Sequence, residues 1–523
     1  MVLSLYMALA FVLVYHAIAF TTRYIQAPRA SNKLSKEYGC EMPVVERSWD
    51  ILGLIKICCS ARHLYHGTVL KNVSALFSRY GDTYVSQILG QRVFVTRDAR
   101  NIQHLLVTRF SDFNSADMRA HLFRPITGNS IFVQDGEGWK SARKLHVDVL
   151  SLTRQLFNME SQEAGCRAFS QILSASVRAG HAVDLQPLFA KLILDLNSLL
   201  VMGVSSDTLN PEQATEKKRL VKSLQYARQI MARNAFLGPI HHLLFKRDFY
   251  QACLHVKMFV ERIIRDELAA RNHQMQTGMD TQESKREGRS ILQLILDRTE
   301  DVTSVRDEVV LLLVAATDSV ASLLSSTFFF LARYESVFAK LRKEVADTIG
   351  TEKPTFEMLR KIPYLSHVFH EAMRLIPPVP HNARTANRDT WLPSGGGKDG
   401  KSAVLVRKGE SVVFSSWGSH RSTKVFGSDA HEFRPERWQG SFKSGLGPGS
   451  LGFIPFSMGP RVCPGQQYAL LQASYITIRI VQMFSRIENR DSRLWTEKID
   501  LNLFNKNGVL VEMVPAGEGA GNQ

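Results

Sequence analysis

From Val309 to Ala332 the chain reads VVLLLVAATDSVASLLSSTFFFLA, a run that is apolar nearly all round. A helix with one wet face shows a polar stripe, whereas one without such a stripe has to be enclosed, so this segment demands a large surrounding core. The pattern predicts a buried helix from Val305 to Arg333, with Ser304 and Asp307 as its capping box. Its middle is broken by Thr317-Asp318-Ser319, and no Lys, Arg or His stands three or four residues from Asp318. Burial then leaves the carboxylate without a local ion pair, which raises its pKa. A buried acid beside a hydroxyl suits proton delivery; the plainer alternative is that Asp318 caps or contacts another buried group.

The chain has 523 residues, more than most single domains. Its hydrophobic residues are spread throughout, with no repeat and no long Pro/Ser-rich or single-sign linker, so one large body is compatible with the pattern. Sixty-five Lys and Arg face 49 Asp and Glu, a net charge of +16. These basic residues are scattered, without the stripe, zinc-finger spacing or aromatic signature of a nucleic-acid binder. No nucleic acid is expected as a partner; an acidic protein or an anionic membrane face fits the charge better.

The N-terminus favours a membrane. Residues 2–20, VLSLYMALAFVLVYHAIAF, contain no Asp, Glu, Lys or Arg, and as a helix they would span roughly 28 Å, near the thickness of the hydrocarbon layer. Arg23, Arg29, Lys33 and Lys36 follow, and positive charge after the span keeps the rest of the chain on the cytosolic side. A cleaved signal peptide is the rival reading, since Ala17-Ile18-Ala19 resembles a cleavage site, but the usual positive leader is missing.

Six cysteines, Cys40, Cys58, Cys59, Cys166, Cys253 and Cys463, show no disulfide framework or paired C-x-x-C spacing, and in a reducing compartment most are expected to be buried thiols. Cys463 stands apart. It lies in FSMGPRVCPGQQ, residues 456–467, where Gly459 and Pro460 prevent a helix or strand from continuing up to the sulfur. A helical pattern follows at once, with Leu470, Leu471, Ser474, Ile478 and Val481 on or near one face. The sulfur therefore sits just before a helix N-terminus, where the dipole and free N–H groups favour the thiolate. A thiolate in such a place is a nucleophile, a redox centre, a zinc ligand or a haem ligand. Zinc needs further ligands, and no second Cys or His lies near in sequence.

Phe456, Gly459, Arg461, Cys463 and Gly465 fit F-x-x-G-x-R-x-C-x-G, a long and specific pattern that resembles the haem-thiolate loop of the cytochrome P450 monooxygenases. The resemblance implies that Cys463 ligates the iron of haem b, that Gly459 and Gly465 let the backbone approach the porphyrin, that Arg461 pairs with a haem propionate, and that Phe456 shields the sulfur. HEAMRL, with Glu371 and Arg374, matches the family's E-x-x-R, and Arg437 of FRPERW is its structural third member. Trp139 and Arg143 in GEGWKSARK match the W-x-x-x-R that reaches the propionates, and Arg384 is placed among the haem-binding residues in the same way. Asp318 and Ser319 look like the family's acid–alcohol pair for proton delivery. Ala316 stands where glycine is common and Ser319 where threonine is usual; Ser319 keeps the hydroxyl, while the methyl of Ala316 narrows the oxygen-binding notch.

GGGKDG, Gly395 to Gly400, satisfies G-x-G-x-x-G only formally, because SAVLVRKGESVVF after it reads as β-rich rather than helical. It is a hairpin tip. Together with PPVPHNAR, GSDAHEFRPERW and GPRVCPGQQYAL, this segment resembles the fungal membrane-bound alkane and fatty-acid hydroxylase branch. The implied fold is mainly α, the cytochrome P450 haem-thiolate fold with a small β-rich part and an N-terminal transmembrane helix. Its expected divisions are an anchor at 2–20, a hinge at 21–44, a haem domain at 45–515 and a flexible tail at 516–523.

The resemblance also implies a flavoprotein reductase passing electrons from NADPH, an apolar lipid-like substrate hydroxylated on an aliphatic chain, and a single-pass location in the endoplasmic reticulum membrane. Pocket-lining segments implied by motif position are Phe113 to Ser130, Tyr226 to Ile240, the centre of the buried helix, Val379 to Arg384 and Leu503 to Gly508. AFLGPI, residues 235–240, reads either as a dip into the membrane surface or as a core contact. A polyketide or terpenoid substrate, and a haem-thiolate isomerase or dehydratase that needs no reductase, are the alternatives; the Asp318-Ser319 pair argues for the oxygenase.

Overall fold

The long apolar segment is a helix in the computed structural model, which describes residues 28–46, 54–88, 91–178, 180–237, 246–277, 288–440 and 452–517. The expected membrane span at 2–20 and residues 238–240 of the surface segment lie outside the described residues. The chain divides into two compact units, each discontinuous in sequence. They supply the mainly α architecture with a smaller β-rich part that the sequence implies.

The β-rich unit takes Met1–Ser115, His381–Ser419 and Met458–Arg461. Its helix α1, Val69–Tyr80, buries Leu70 and Phe77. Its sheet runs in the order β1 (Thr83–Ile88), β2 (Gln91–Thr96), β8 (Ser411–Ser415), β5 (His381–Ala386) and β3 (Phe113–Asn114). β1 and β2 form an antiparallel hairpin, while β2 and β8 pair in parallel with Val93 opposite Ser411. β6 (Thr390–Gly396) and β7 (Ser402–Val406) pair antiparallel, with Gly396 opposite Ser402, so the glycine cluster does turn a hairpin. Gly397 and Gly400 there have φ of +77° and +69°, a region that disfavours a side chain. Asn101 links hairpin and sheet, donating to Thr83 Oγ1 and Ser394 O, each at 2.9 Å, and accepting from Ser394 N.

The helical unit takes Ala116–Pro380, His420–Ser457 and Val462–Gln523. Its principal helices are α2 (Gly136–Leu150), α3 (Met159–Arg178), α4 (Leu185–Met202), α5 (Thr215–Leu237), α6 (Arg247–Thr277), α7 (Val302–Leu331), α8 (Pro363–Leu375) and α9 (Gln466–Met483). Strands β4 (Val183–Asp184), β12 (Leu510–Pro515) and β9 (Phe484–Asn489) form a small sheet, and β10 (Glu497–Ile499) pairs with β11 (Leu503–Asn505). α7 packs against α4, α6, α8 and α9. It is long and apolar enough to cross a bilayer, but 78% of its most apolar stretch is buried against protein, so it is a core helix.

The start of α7 differs from the sequence expectation. Asp301, not Ser304, is the N-cap, and its carboxylate accepts from Thr303 N and Ser304 N. Asp307 is engaged elsewhere: it accepts from Asn129 N at 2.6 Å and pairs with Arg306. Gly128 has φ +56°, and a Cβ there would overlap the Asp307 carboxylate, so that position needs glycine. The helix begins at Val302 because a short Asp side chain reaches two free N–H groups at once.

The cysteines also depart in part from expectation. Cys166 and Cys253 are buried, but Cys58 and Cys59 are exposed on the helix Leu54–His66. That helix turns Ile55 and Tyr65 outward as well, so its apolar residues do not all enter a core. All six cysteines are free, as the spacing implied.

On α8, Glu371 and Arg374 are fully buried and joined by two bonds of 2.8 Å. Arg437 reaches the same carboxylate at 3.3 Å, and Trp438 Nε1 and Arg434 N donate to it at 3.0 and 2.9 Å. Arg374 spends its remaining N–H groups on the carbonyls of His420, Ala430 and Glu432. Removing one partner strands buried charge, which typically costs about 3–5 kcal/mol. Glu371→Gln is expected to lower the unfolding free energy by about that amount, read as a drop in the denaturant midpoint; an unchanged midpoint would remove the network from the stabilising core.

Candidate active site

The segment around Cys463 is a turn that brings a backbone donor back on itself. Cys463 N donates to Phe456 O at 2.9 Å. Ser457 holds φ +64° and Gly459 φ +70°, so the turn contains one strained non-glycine residue and one glycine. A Cβ at Gly459 would overlap the carbonyl oxygen of Leu106, which explains glycine there. At Gly465 a Cβ would meet no atom within 4 Å, leaving open space beside the loop.

Gly465 is the N-cap of α9, and the backbone N–H groups of Gly465 and Gln466 favour the charged form of the Cys463 sulfur. The predicted position at a helix N-terminus therefore holds. Leu470, Leu471 and Ser474 are only half-buried, whereas α9 buries Tyr468, Gln472, Ala473 and most residues from Tyr475 to Val481, on more than one face. Cys463 is exposed in this structure. Burial pushes its thiol above the ordinary value, and the two N–H groups and Arg143 pull the other way.

Trp139 and Arg143 lie one turn apart on α2; Trp139 is buried and Arg143 half-buried. Burial lowers the Arg143 pKa, and Cys463 opposes that shift, so the two side chains sense each other. No carboxylate pairs with Arg143 among the described residues. One turn on, His146 Nε2 meets Glu308 Oε2 of α7 at 2.7 Å. The structure thus groups Trp139, Arg143, Phe456, Cys463 and Gly465 in the helical unit, while Gly459, Arg461 and Arg384 belong to the β-rich unit.

In that unit Arg461 ends a short turn and stacks over Phe110 at 6.0 Å. Arg384 is buried on β5, donates to Ala383 O at 2.8 Å and lies over the Phe414 ring at 5.6 Å. His381, at the start of the same strand, was not singled out by the sequence. Both its ring nitrogens are buried without a partner among the described residues, and burial lowers its pKa to about 4. Leaving a buried polar atom unbonded costs about 1–3 kcal/mol. The signal available in the sequence was a histidine three residues before Arg384.

The centre of α7 shows a different pattern. Leu312, Ala315, Ala316 and Ser319 are partly exposed, whereas Val310, Leu311, Leu313, Val314, Thr317, Asp318 and Val320 are buried. The spacing i, i+3, i+4, i+7 is a single helix face, so one stripe of an otherwise enclosed helix borders open space. Ser319 Oγ donates to Ala315 O at 3.0 Å and lies 3.5 Å from Ala316 O. Thr317 bonds back to Leu313 O.

The sequence leaves Asp318 without a local cation, but the fold supplies a distant one. Arg228 of α5 donates to Asp318 Oδ1 at 2.5 Å, and both side chains are largely buried. Burial still raises the Asp318 pKa, outweighing Arg228, while Asp500 adds to the rise and Lys498 opposes it. Asp318 thus keeps the raised value expected of it, with an ion pair ninety positions away in sequence.

In the helical unit, a thiol at the start of α9 with a half-buried guanidinium beside it and open space next to Gly465 suits a large anionic, metal-bearing ring; in the β-rich unit, His381 offers an imidazole whose two nitrogens have no partner among the described residues. The cytochrome P450 family profile matches residues 50–509. Cytochrome P450 52A13 of Debaryomyces hansenii is 34% identical, over 82% of this chain and 83% of its own. The cytochrome P450 monooxygenase himC of Aspergillus japonicus is 35% identical, over 86% and 79%. The cytochrome P450 monooxygenase FPY7 of Fusarium mangiferae is 33% identical, over 93% and 92%.

The Arg228–Asp318 pair makes a signed prediction. Arg228 favours the charged carboxylate, so Arg228→Leu should keep Asp318 protonated to higher pH than in the wild type. Difference infrared spectroscopy of the carboxyl band, assigned by its loss in Asp318→Asn, measures this; an unmoved titration would show that the pair does not form in solution.

Proposed function

The chain belongs to the cytochrome P450 family of haem-thiolate monooxygenases, and from that premise we propose that Cys463 is the thiolate ligand of haem b and that the enzyme hydroxylates an aliphatic chain. The observation that carries the ligand assignment is the Cys463 loop, which places the sulfur just before the N-terminus of α9, where the backbone N–H groups of Gly465 and Gln466 favour its charged form. When bound, haem supplies the iron at which dioxygen is activated, with electrons that the family draws from NADPH through a reductase.

The protein's own residues hold and direct that chemistry. The N–H groups beside the sulfur and Arg143 nearby offset the cost of the anion. By the family's motif Trp139, Arg143, Arg384 and Arg461, with His381, would hold the propionates, and Phe456 would cover the sulfur. Gly465 would give the backbone room to approach the ring, whereas Gly459 clears the Leu106 carbonyl. Asp318 holds a proton at a raised pKa, and Ser319 passes it from the exposed face of α7. The Arg228 contact makes α5 part of this proton path, because its position sets how readily Asp318 takes and releases a proton.

An apolar substrate is supported by the stripe on α7, where Leu312, Ala315 and Ala316 present only alkyl groups beside Ser319. Each buried methylene of a chain adds about 0.8 kcal/mol. A lipid substrate also fits the proposed anchor at residues 2–20, which would hold the haem domain, 45–515, on the cytosolic face of the endoplasmic reticulum. The partner there is a flavoprotein reductase.

Reduced protein under carbon monoxide is expected to show the strongly red-shifted Soret band of thiolate ligation, and Cys463→His should lose it; an imidazole-type spectrum from the wild type overturns the ligand assignment. Titration with alkanes and fatty acids of graded length is expected to give tighter binding with each added methylene, and a product with one oxygen near the chain end. No spectral response and no product across the series, alongside turnover of a polyketide or terpenoid, would reject the aliphatic substrate.

A further inference from the structure

One buried amide outside the residues discussed so far touches the proton path from behind. Asn197 on α4 is 1% exposed and donates from Nδ2 to Ala316 O at 3.1 Å. Its Oδ1 is buried with no partner among the described residues. Its neighbours on the inner side of α4 are Ile193, Leu194, Leu196 and Val201. The adjacent Ser198 is satisfied, donating to Asp195 O and accepting from Ser206 N. An asparagine is a poor helix former and costly to bury half-bonded, so packing alone does not account for this one.

Its target is informative. The Ala316 carbonyl also lies 3.5 Å from Ser319 Oγ, which donates instead to Ala315 O at 3.0 Å. A carbonyl only accepts, so the amide must present its NH₂ group to Ala316, and that orientation is fixed by chemistry. The Asn197 N–H therefore occupies the acceptor that competes for the Ser319 hydroxyl.

We propose that Asn197 is a positioning residue for the monooxygenase reaction: by holding the Ala316 carbonyl it keeps the Ser319 hydroxyl on Ala315 O and so sets the direction in which Ser319 accepts and passes a proton. The proposal rests on the reading of Ser319 as part of the proton path. Without the amide, Ala316 O becomes an open acceptor one helical position away, and the hydroxyl turns toward it. Ala316 is then more than a narrowed notch, since its carbonyl is the point where α4 acts on the relay.

The test uses full-length holoenzyme with its reductase. Asn197→Leu, which keeps the volume, and Asn197→Ala, which removes the donor without adding bulk, are compared with Ser319→Ala and the double variants. Haem content and substrate affinity should stay near wild type. The share of electrons lost to peroxide should rise several-fold in each single variant, and the double variants should be no worse than Ser319→Ala alone. The infrared C–O stretch of the reduced carbon monoxide complex, which senses the nearby hydroxyl without turnover, should shift in the Asn197 variants and stay put when they are added to Ser319→Ala. If Ser319→Ala uncouples the enzyme while the Asn197 variants keep wild-type coupling and C–O stretch, the positioning role is overturned and the relay stands. Additive losses in the double variants overturn it as well, by showing that Asn197 acts elsewhere. If Ser319→Ala itself changes neither coupling nor stretch, the relay reading falls and this proposal with it.

Discussion

Enclosure of α7 is the constraint on which the helical unit depends. A thirty-residue helix that is buried over most of its length leaves few polar groups to water, so most of its buried polar residues are matched by a partner, Thr327 Oγ1 being an exception among the described residues. Asp307 fixes the Gly128–Asn129 turn, Glu308 fixes His146 of α2, Asp318 fixes Arg228 of α5, and Ser322 fixes the Leu503 carbonyl of β11 at 2.6 Å. Thr317 and Ser325 close their bonds on the preceding turn of the helix itself. The apolar residues thus drive burial, while the few polar ones set orientation. The stripe from Leu312 to Ser319 stays partly open between these fixed points along the helix.

Where the determinants are local, the sequence was legible. The Cys463 turn, the start of α9, the Glu371–Arg374 spacing and the hairpin after Thr390 all depend on residues within a few positions of one another, and all are found as expected. The fold class followed from the same motifs. What stayed hidden is non-local. Arg228 meets Asp318 across 90 positions, His146 meets Glu308 across 162, and Asn197 meets Ala316 across 119. Nothing in the run around Asp318 indicates an arginine in another helix. The capping error at α7 has a related cause: Ser304 and Asp307 match a local rule, but Asp307 is drawn to the Gly128–Asn129 turn far upstream, and Asp301 is free to cap. His381 was missed because a histidine on a strand looks ordinary until its two unbonded nitrogens are seen.

Burial acts in the same direction on the two titratable groups that matter most, with opposite uses. It raises Cys463 and Asp318 alike, because each charged form loses hydration. For the cysteine, two N–H groups and one guanidinium reduce the cost of the thiolate without cancelling it, and the proposed haem iron would supply the remaining positive charge. Metal binding and thiol deprotonation are then one coupled event. For the aspartate the same rise is the useful property, since an acid held above its ordinary value keeps a proton available where a solvated one would lose it. Arg228 opposes the rise by favouring the charged form. On the proposed assignment, one apolar interior would serve a sulfur that takes a metal and a carboxyl that holds a proton, the two differing in the cation placed beside each.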